Sequence, residues 1–454
     1  MLYHFIRIMA ITAVRTFFNK ISGKNMEHIP KDVPVIFAAN HPNTMIDPMI
    51  IGYTCPRQLH FFAKSTIFKH PIASWFLHRI KIIPIIRKQD HPNLMDKNED
   101  AFEKGYDILR SNGAFLIFPE GVSTGERQLS KIKTGAARIG FGAEVHHNWQ
   151  LGVQVIPVGL NYTDAIKFRS DVSTRFGQPI ILNEFKDQFE RDEKEAVHLV
   201  TEQLEVALSK LTIDLKDLEM KEIVSALETI YKQELAVDLG LEIQDKSDDF
   251  SVTKGLTNAV KWYFEHSPKK VEKFKLMLKR YQTFLGRLKI KDEYLDPASG
   301  SISFWERLKA ISYLVFLFPI YLYGLINNVI PYKFPRWYAK HTARQRSEIA
   351  PWKMISGIGI FLIYYPIEII IFASISGSFI WTAIYAISLI PSGNFVLNYV
   401  QRFDNYRQHL RFISVFYKKR TLIYELINQR TEIIDFLNIC KKEYMSTVGL
   451  EAEK

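Results

Sequence analysis

The chain has 454 residues, 47% of them hydrophobic and 13% aromatic, which excludes a disordered polypeptide and predicts a packed core with room for accessory regions. The formal net charge of +11 favours anionic partners, whether nucleic acid, anionic headgroups or phosphorylated substrates. Cys55 and Cys440 stand far apart, which excludes a disulfide framework or a cysteine metal site and fits a reducing, cytoplasmic setting.

Residues 1–30 open on an apolar stretch interrupted by Arg7, Arg15 and Lys20, which is not the unbroken core of a cleavable signal peptide. On a helix, Leu2, Phe5, Ile6, Met9 and Ala13 share a face and Arg7 and Arg15 point roughly away from it. That pattern predicts a helix lying in a membrane interface, although Ile8 and Ile11 fall on the charged side. The alternative is a helix capping the soluble core.

Across residues 31–185 short β-rich runs alternate with helical stretches. The predicted strands are Val33–Ala38, Leu59–Ala63, Ile80–Ile86, Ala114–Phe118, Val153–Leu160 and Val172–Phe176. The predicted helices between them are Lys69–His78, Asn93–Ser111 and Gly135–His147. Such alternation predicts an α/β domain with a mostly parallel sheet flanked by helices. Residues 186–300 become charged and helix-periodic, as in Asp192–Leu211 and Asn258–Leu285, and predict an α-helical accessory domain without assigned chemistry.

Residues 301–400 form a membrane-embedded region by composition. Ile311–Ile330, Met354–Ser376 and Phe379–Val400 each approach the ~20 apolar residues that cross a bilayer. Basic residues stay cytoplasmic, and both the loop Lys333–Lys353 and the tail from Arg402 are rich in them, so three full crossings conflict with the charge pattern. A spanning hairpin of the last two segments plus a re-entrant or interfacial first segment, broken at Pro319, resolves the conflict. Residues 401–454 read as a basic cytoplasmic helical tail.

The chemistry concentrates in Asn40-His41-Pro42-Asn43-Thr44-Met45-Ile46-Asp47-Pro48, directly after a predicted strand. Open α/β sheets place ligands at such strand ends. Asp47 can fold back to accept from one imidazole nitrogen, which leaves the other free as a base near neutral pH. Alone, this spacing is better read as a loop histidine and a helix-capping aspartate. It is joined by Phe118-Pro119-Glu120-Gly121 after another strand, by Ile82-Ile83-Pro84-Ile85-Ile86-Arg87, by Val155-Ile156-Pro157-Val158-Gly159, and by Lys131 and Lys133 before Gly135.

Together and in this order these blocks resemble the glycerolipid acyltransferase superfamily, over roughly residues 33–158. Phe-Pro-Glu-Gly is the most specific of them. Five residues separate His41 from Asp47, where the usual pattern has four. With Ile-Pro-Ile-Ile-Arg-Lys-Gln-Asp in the second block, this looks like the branch that acylates glycerol 3-phosphate or dihydroxyacetone phosphate. Val122-Ser123 stand where many lysophosphatidate acyltransferases continue Thr-Arg, so one phosphate-binding arginine is missing.

The resemblance implies an O-acyltransferase of phospholipid biosynthesis, and the apolar segments with their basic flanks predict that it is membrane-bound with its catalytic domain on the cytoplasmic face. It implies no metal and no cofactor beyond the thioester co-substrate, acyl-CoA or acyl-carrier protein. The acceptor is glycerol 3-phosphate, dihydroxyacetone phosphate or lysophosphatidate. His41 and Asp47 would be catalytic, and Asn40, Arg87, Glu120, Gly121 and Lys133 would bind substrate, with backbone N–H groups near Gly121 available to an oxyanion.

Two rivals remain. Gly121-Val122-Ser123-Thr124-Gly125 matches the nucleophile elbow of a serine hydrolase, which requires strand, sharp turn and helix in immediate succession. A catalytically inactive, lipid-binding membrane scaffold is the other. Nucleic-acid binding has only the net charge in its favour.

Overall fold

The computed structural model describes residues 2–86, 98–215, 217–241, 246–295 and 304–452. Eight strands build one sheet: β1 (Lys20–Lys24), β2 (Val35–Ala39), β3 (Leu59–Lys64), β4 (Ile82–Ile85), β5 (Ala114–Ile117), β6 (Gln154–Tyr162), β7 (Asp171–Phe176) and β8 (Ile180–Ile181). They run in the order β1-β7-β6-β2-β5-β3-β4, and β8 also pairs with β6. The β1–β7, β2–β5, β2–β6, β3–β4 and β3–β5 pairs are parallel, whereas β6 meets β7 and β8 antiparallel. Every residue of β2 and β5 is buried, as near-continuous apolar runs require when helices cover both faces.

All six strands predicted from the sequence are present, each within two residues of its expected ends. The sequence reading lacks β1 and β8. Lys-Ile-Ser-Gly-Lys is too polar and glycine-broken to read as a strand alone, and two residues carry no period. The sheet's helices are α1 (Leu2–Phe17), α2 (Ile46–Thr54), α3 (Pro71–Arg79), α4 (Glu99–Arg110), α5 (Gly135–His146), α6 (Lys186–Arg191) and α7 (Glu193–Leu211). The first part of the expected Asn93–Ser111 helix lies outside the described residues. In α1, Ala13, Val14 and Phe17 are buried while Ile8 is exposed, so its C-terminal half joins the core.

The chain divides into two compact units, Met1–Lys216 with Trp337–Ser356, and Asp217–Arg336 with Gly357–Lys454. The first therefore extends past the domain end expected at residue 185. Helix α7 belongs to it because Ala196, Val200, Leu204 and Leu208 join one buried cluster with Ile36, Phe115, Ile139 and Val155. Asp192 caps that helix by accepting from the N–H groups of Lys194 and Glu195 at 2.9 and 3.1 Å, a contribution of about 1 kcal/mol.

The second unit is helical. It holds α8 (Leu218–Ile230), α9 (Lys232–Asp238), α10 (Lys246–His266), α11 (Pro268–Leu288), α12 (Phe304–Phe316), most of α13 (Phe318–Thr342) and of α14 (Ile349–Ser376), α15 (Phe379–Lys418) and α16 (Arg420–Ala452). The single helix expected over Asn258–Leu285 is two, broken at Ser267 with Pro268 opening α11, where its missing N–H costs nothing. Helix α16 is more than a solvated tail. Ile423, Leu426, Arg430 and Ile433 are buried along it, Phe436 stacks on Phe274, and Arg430 pairs with buried Asp292 at 3.3 Å.

Two stretches, Arg346–Ser376 and Phe379–Gln408, are long and apolar enough to cross a membrane. Helices α12 and α13 pass that test only as a pair bent by 50°. The bend falls just before Pro319, whose ring would clash with the carbonyl four residues back in a continuous helix. Asn327 and Asn328 are helix-to-helix ties: Tyr385 Oη donates to Asn327 Oδ1 and Tyr365 Oη to Asn328 Oδ1, both at 2.6 Å.

Helix α7 packs closely on β6 at Gly159, where a Cβ would lie 2.2 Å from the carbonyl oxygen of Leu211. Gly159→Ala must push the end of α7 off β6. We expect a loss of at least about 1–3 kcal/mol, the usual cost of overpacking, measured by chemical denaturation of the detergent-solubilised chain.

Candidate active site

Because β2, β5 and β6 are parallel neighbours, their carboxyl ends emerge along one edge of the sheet. Asn40-His41 follows β2 there, Phe118-Pro119-Glu120-Gly121 follows β5, and Tyr162 ends β6. The chain after His41 turns straight into α2, which puts Asp47 in that helix's first turn, where the dipole favours a carboxylate.

His41 Nδ1 lies 2.8 Å from Asp47 Oδ2. A carboxylate only accepts, so this nitrogen carries the proton and Nε2 of the neutral ring is left with a lone pair. Asp47 is 0% exposed, and two further donors hold it: the Asn43 N–H reaches Oδ2 at 2.6 Å and the Tyr162 hydroxyl reaches Oδ1 at 2.6 Å. Burial, and next the adjacent carboxylate, hold Tyr162 well above its ordinary pKa, so it remains a donor. The imidazole stacks on Phe118 with centroids 3.9 Å apart and planes 16° apart, while 19% of the side chain stays exposed. One face of the base is thus shielded and its rim is open.

Glu120 ties the two loops together. Its Oε1 accepts from the His41 N–H at 2.8 Å and its Oε2 from the Ser130 N–H at 2.9 Å. Burial pushes its pKa up, and these backbone hydrogen bonds pull against that. Asn40 is similarly engaged with main chain, donating to Leu160 O at 3.0 Å and accepting from Leu160 N–H at 2.6 Å, which clamps the end of β2 to β6. Both residues, expected among those that bind substrate, have polar atoms engaged by the protein's own backbone.

Gly121 sits at φ +69°, and a Cβ there would lie 2.4 Å from Lys133 Nζ. Only glycine admits both the turn and the close approach of that ammonium. Lys133 is exposed, and among the described residues its side chain has no hydrogen bond or ion pair, so a cation stands beside the turn. The Gly121 N–H donates to Phe118 O at 3.0 Å and closes the turn, so this one of the backbone N–H groups near Gly121 is already engaged. Arg87 lies outside the described residues. Among those residues no group of three or more His, Cys, Asp or Glu could hold a metal ion.

Ser123 lacks the setting of a nucleophile. The chain after β5 stays irregular until α5 begins at Gly135, with no strand-turn-helix elbow. Ser123 Oγ accepts from the Thr44 N–H at 3.0 Å, and no hydrogen bond joins it to His41 among the described residues. The sequence alone assigns no site role to Tyr162, nor to Phe118 beyond its place in the Phe-Pro-Glu-Gly block. A tyrosine closing a strand parallel to β2 is the one signal that could have suggested Tyr162.

The comparisons with known proteins bear on the same region. Residues 20–161 match the family model described as Acyltransferase. The chain carries an acyltransferase domain. Its curated relatives include a protein of Saccharomyces cerevisiae named glycerol-3-phosphate O-acyltransferase 1, 21% identical over 76% of this chain and 57% of the relative. A second yeast protein, glycerol-3-phosphate O-acyltransferase 2, is 29% identical over 30% of this chain and 18% of its own length. A 1-acyl-sn-glycerol-3-phosphate acyltransferase of Streptococcus pneumoniae is 26% identical over 41% of this chain and 65% of the relative. The chain thus spans under two thirds of the length of each of these relatives. Among solved structures, the 1-acyl-sn-glycerophosphate acyltransferase PlsC of Thermotoga maritima matches with a TM-score of 0.33 and 20% identity, over 45% of this chain and 78% of that one.

Two outcomes follow for the acyltransferase domain. Tyr162→Phe leaves a buried carboxylate oxygen without its donor; we expect about 1–3 kcal/mol less stability in denaturant titration. Glu120 binds its proton more tightly folded than unfolded, so its contribution to stability falls as pH climbs from about 4.3, the unfolded value, through the raised folded value. Glu120→Gln should flatten that part of the stability profile relative to the parent.

Proposed function

We propose that this chain is a membrane-anchored O-acyltransferase that moves a fatty acyl group from acyl-CoA or acyl-carrier protein onto a phosphorylated glycerol-type acceptor. The observation that carries the proposal is the His41–Asp47 pair, its Nδ1 proton held at 2.8 Å and its other nitrogen unencumbered at the open rim of the sheet. In the proposed step Nε2 takes the proton of the acceptor hydroxyl as the oxygen attacks the thioester carbonyl carbon. A C–O bond forms, the C–S bond breaks, and the proton passes from the imidazolium to the departing thiolate. No acyl-enzyme forms, and His41 ends neutral, as it began. General-base help of this kind supplies about 10²–10⁴-fold.

Lys133 beside Gly121 is proposed to meet the acceptor phosphate or the developing oxyanion, and Arg87 to share the phosphate. Asp47, Tyr162 and Glu120 are positioning residues in this reading. The acceptor is proposed to be glycerol 3-phosphate or dihydroxyacetone phosphate in preference to lysophosphatidate. The five-residue His41–Asp47 spacing and the names of the two yeast relatives support that choice. Helices α14 and α15 are proposed as the anchor, with their basic flanks and the catalytic domain on the cytoplasmic side.

Membranes containing the protein, given labelled acyl-CoA and each of the three acceptors separately, test this. Transfer to at least one phosphorylated acceptor is expected, with a fall of at least about 10²-fold in His41→Ala. Transfer to none of a wide acceptor panel above the His41→Ala background would sink the reading.

A further inference from the structure

Between α13 and α14 lies a stretch whose basic residues satisfy a membrane-topology rule, and nothing in the sequence gives it a second role. Yet Trp337–Ser356 belongs to the same compact unit as the acyltransferase domain. Ser347 in its middle is fully buried. The Ser347 hydroxyl donates to Ser123 O at 3.2 Å, the Thr44 hydroxyl donates to Ser347 O at 3.1 Å, and the Thr44 N–H donates to Ser123 Oγ at 3.0 Å. These bonds close a triangle joining the loop of His41, the turn after Glu120 and the strap. Further along, Lys353 Nζ donates to Ile166 O at 2.7 Å, one residue beyond the carbonyl of Ala165 that accepts from the Asn43 amide.

Two backbone features show that the docking is built in. Thr44 sits at φ +34°, a region costly for a β-branched residue, and it is held there by the triangle. At Gly125 a Cβ would lie 2.5 Å from Ser347 N and 3.0 Å from Arg346 Cβ, so only glycine lets the strap seat. Arg346 is thereby fixed against the turn Gly121–Gly125. That turn has no charge of its own, and Arg346 is exposed, its side chain without a hydrogen bond or ion pair among the described residues. A guanidinium held by its backbone and left open at a phosphate-handling site is suited to grip phosphate bidentately.

We propose that the strap Trp337–Ser356 completes the active site, with Arg346 binding a phosphate of the substrate beside the Gly121–Gly125 turn. The proposal rests on the acyl-transfer reading above. The phosphate is that of the acceptor or those of the donor's nucleotide.

The test is steady-state kinetics of the full membrane-inserted chain carrying Arg346→Ala, Arg346→Lys or, as a control, Arg344→Ala. Arg344 is an exposed cation two residues away and reports on general charge and topology. Acceptor and donor are varied separately, and acyl-pantetheine replaces acyl-CoA in one arm to remove the nucleotide phosphates. Arg346→Ala should raise one KM by about 10- to 100-fold, the size of one lost charge-assisted hydrogen bond, with partial recovery in Arg346→Lys and no change in Arg344→Ala. A rise for the phosphorylated acceptor assigns Arg346 to the acceptor. A rise for acyl-CoA that is absent with acyl-pantetheine assigns it to the donor. An active parent with neither KM altered, or an equal effect in Arg344→Ala, overturns the proposal while leaving acyl transfer standing. A parent that transfers nothing brings both down together.

Discussion

A carboxylate wholly removed from water is stable only where donors meet its lone pairs, and Asp47 meets three. They come from the imidazole it orients, from the main chain of the loop between them and from Tyr162 at the end of a neighbouring strand. Remove water from around a charge and each such bond strengthens, but each absent bond also becomes costly. The parallel arrangement of β2, β5 and β6 is what brings these donors to one edge. In that sense the sheet order exists around this one buried charge: β6 supplies Tyr162, β5 supplies the turn that carries Glu120, and β2 supplies the histidine.

The same logic explains why Asn40 and Glu120 look inward. In the proposed reaction the loop carrying His41 must not drift, since an error of about 1 Å in placement can cost about 10²-fold. Asn40 fixes the loop's start through both ends of its amide, and Glu120 holds the main chain at His41 itself. Their chemistry is that of splints. In the proposed reaction the substrate meets the open rim of His41, the ammonium of Lys133 and the strap.

Much of this was legible in the sequence, and the reason is local. His41 and Asp47 lie within one short loop, and the strands that present them are apolar runs with recognisable ends. Tyr162 and Ser347 were not legible, because their partners lie 115 and 224 residues away and a period cannot encode a distant handshake. The end of the first unit is hidden from the sequence for a related reason. Helix α7 reads as charged and amphipathic whether it covers a sheet or another helix, and the cluster of Ala196, Val200, Leu204 and Leu208 with Ile36 and Val155, with the Leu211 carbonyl against Gly159, shows that it covers the sheet. Helix α16 reads as part of a tail because the cations from Arg402 to Arg420 lead into it, while its stripe of Ile423, Leu426 and Ile433 is shown to be buried only by the fold.

The sequence separations in the triangle of Thr44, Ser123 and Ser347 have a bearing on biosynthesis. A ribosome delivers residues in order, and the histidine loop and the turn that braces it are complete some two hundred residues before Ser347 is made. Thr44 would have to hold its unfavourable backbone angle through that interval with one of its fasteners still missing. The nascent chain is therefore unfinished around the His41 loop until the polypeptide has passed α13, and the last stitch is tied where the first long apolar helix begins.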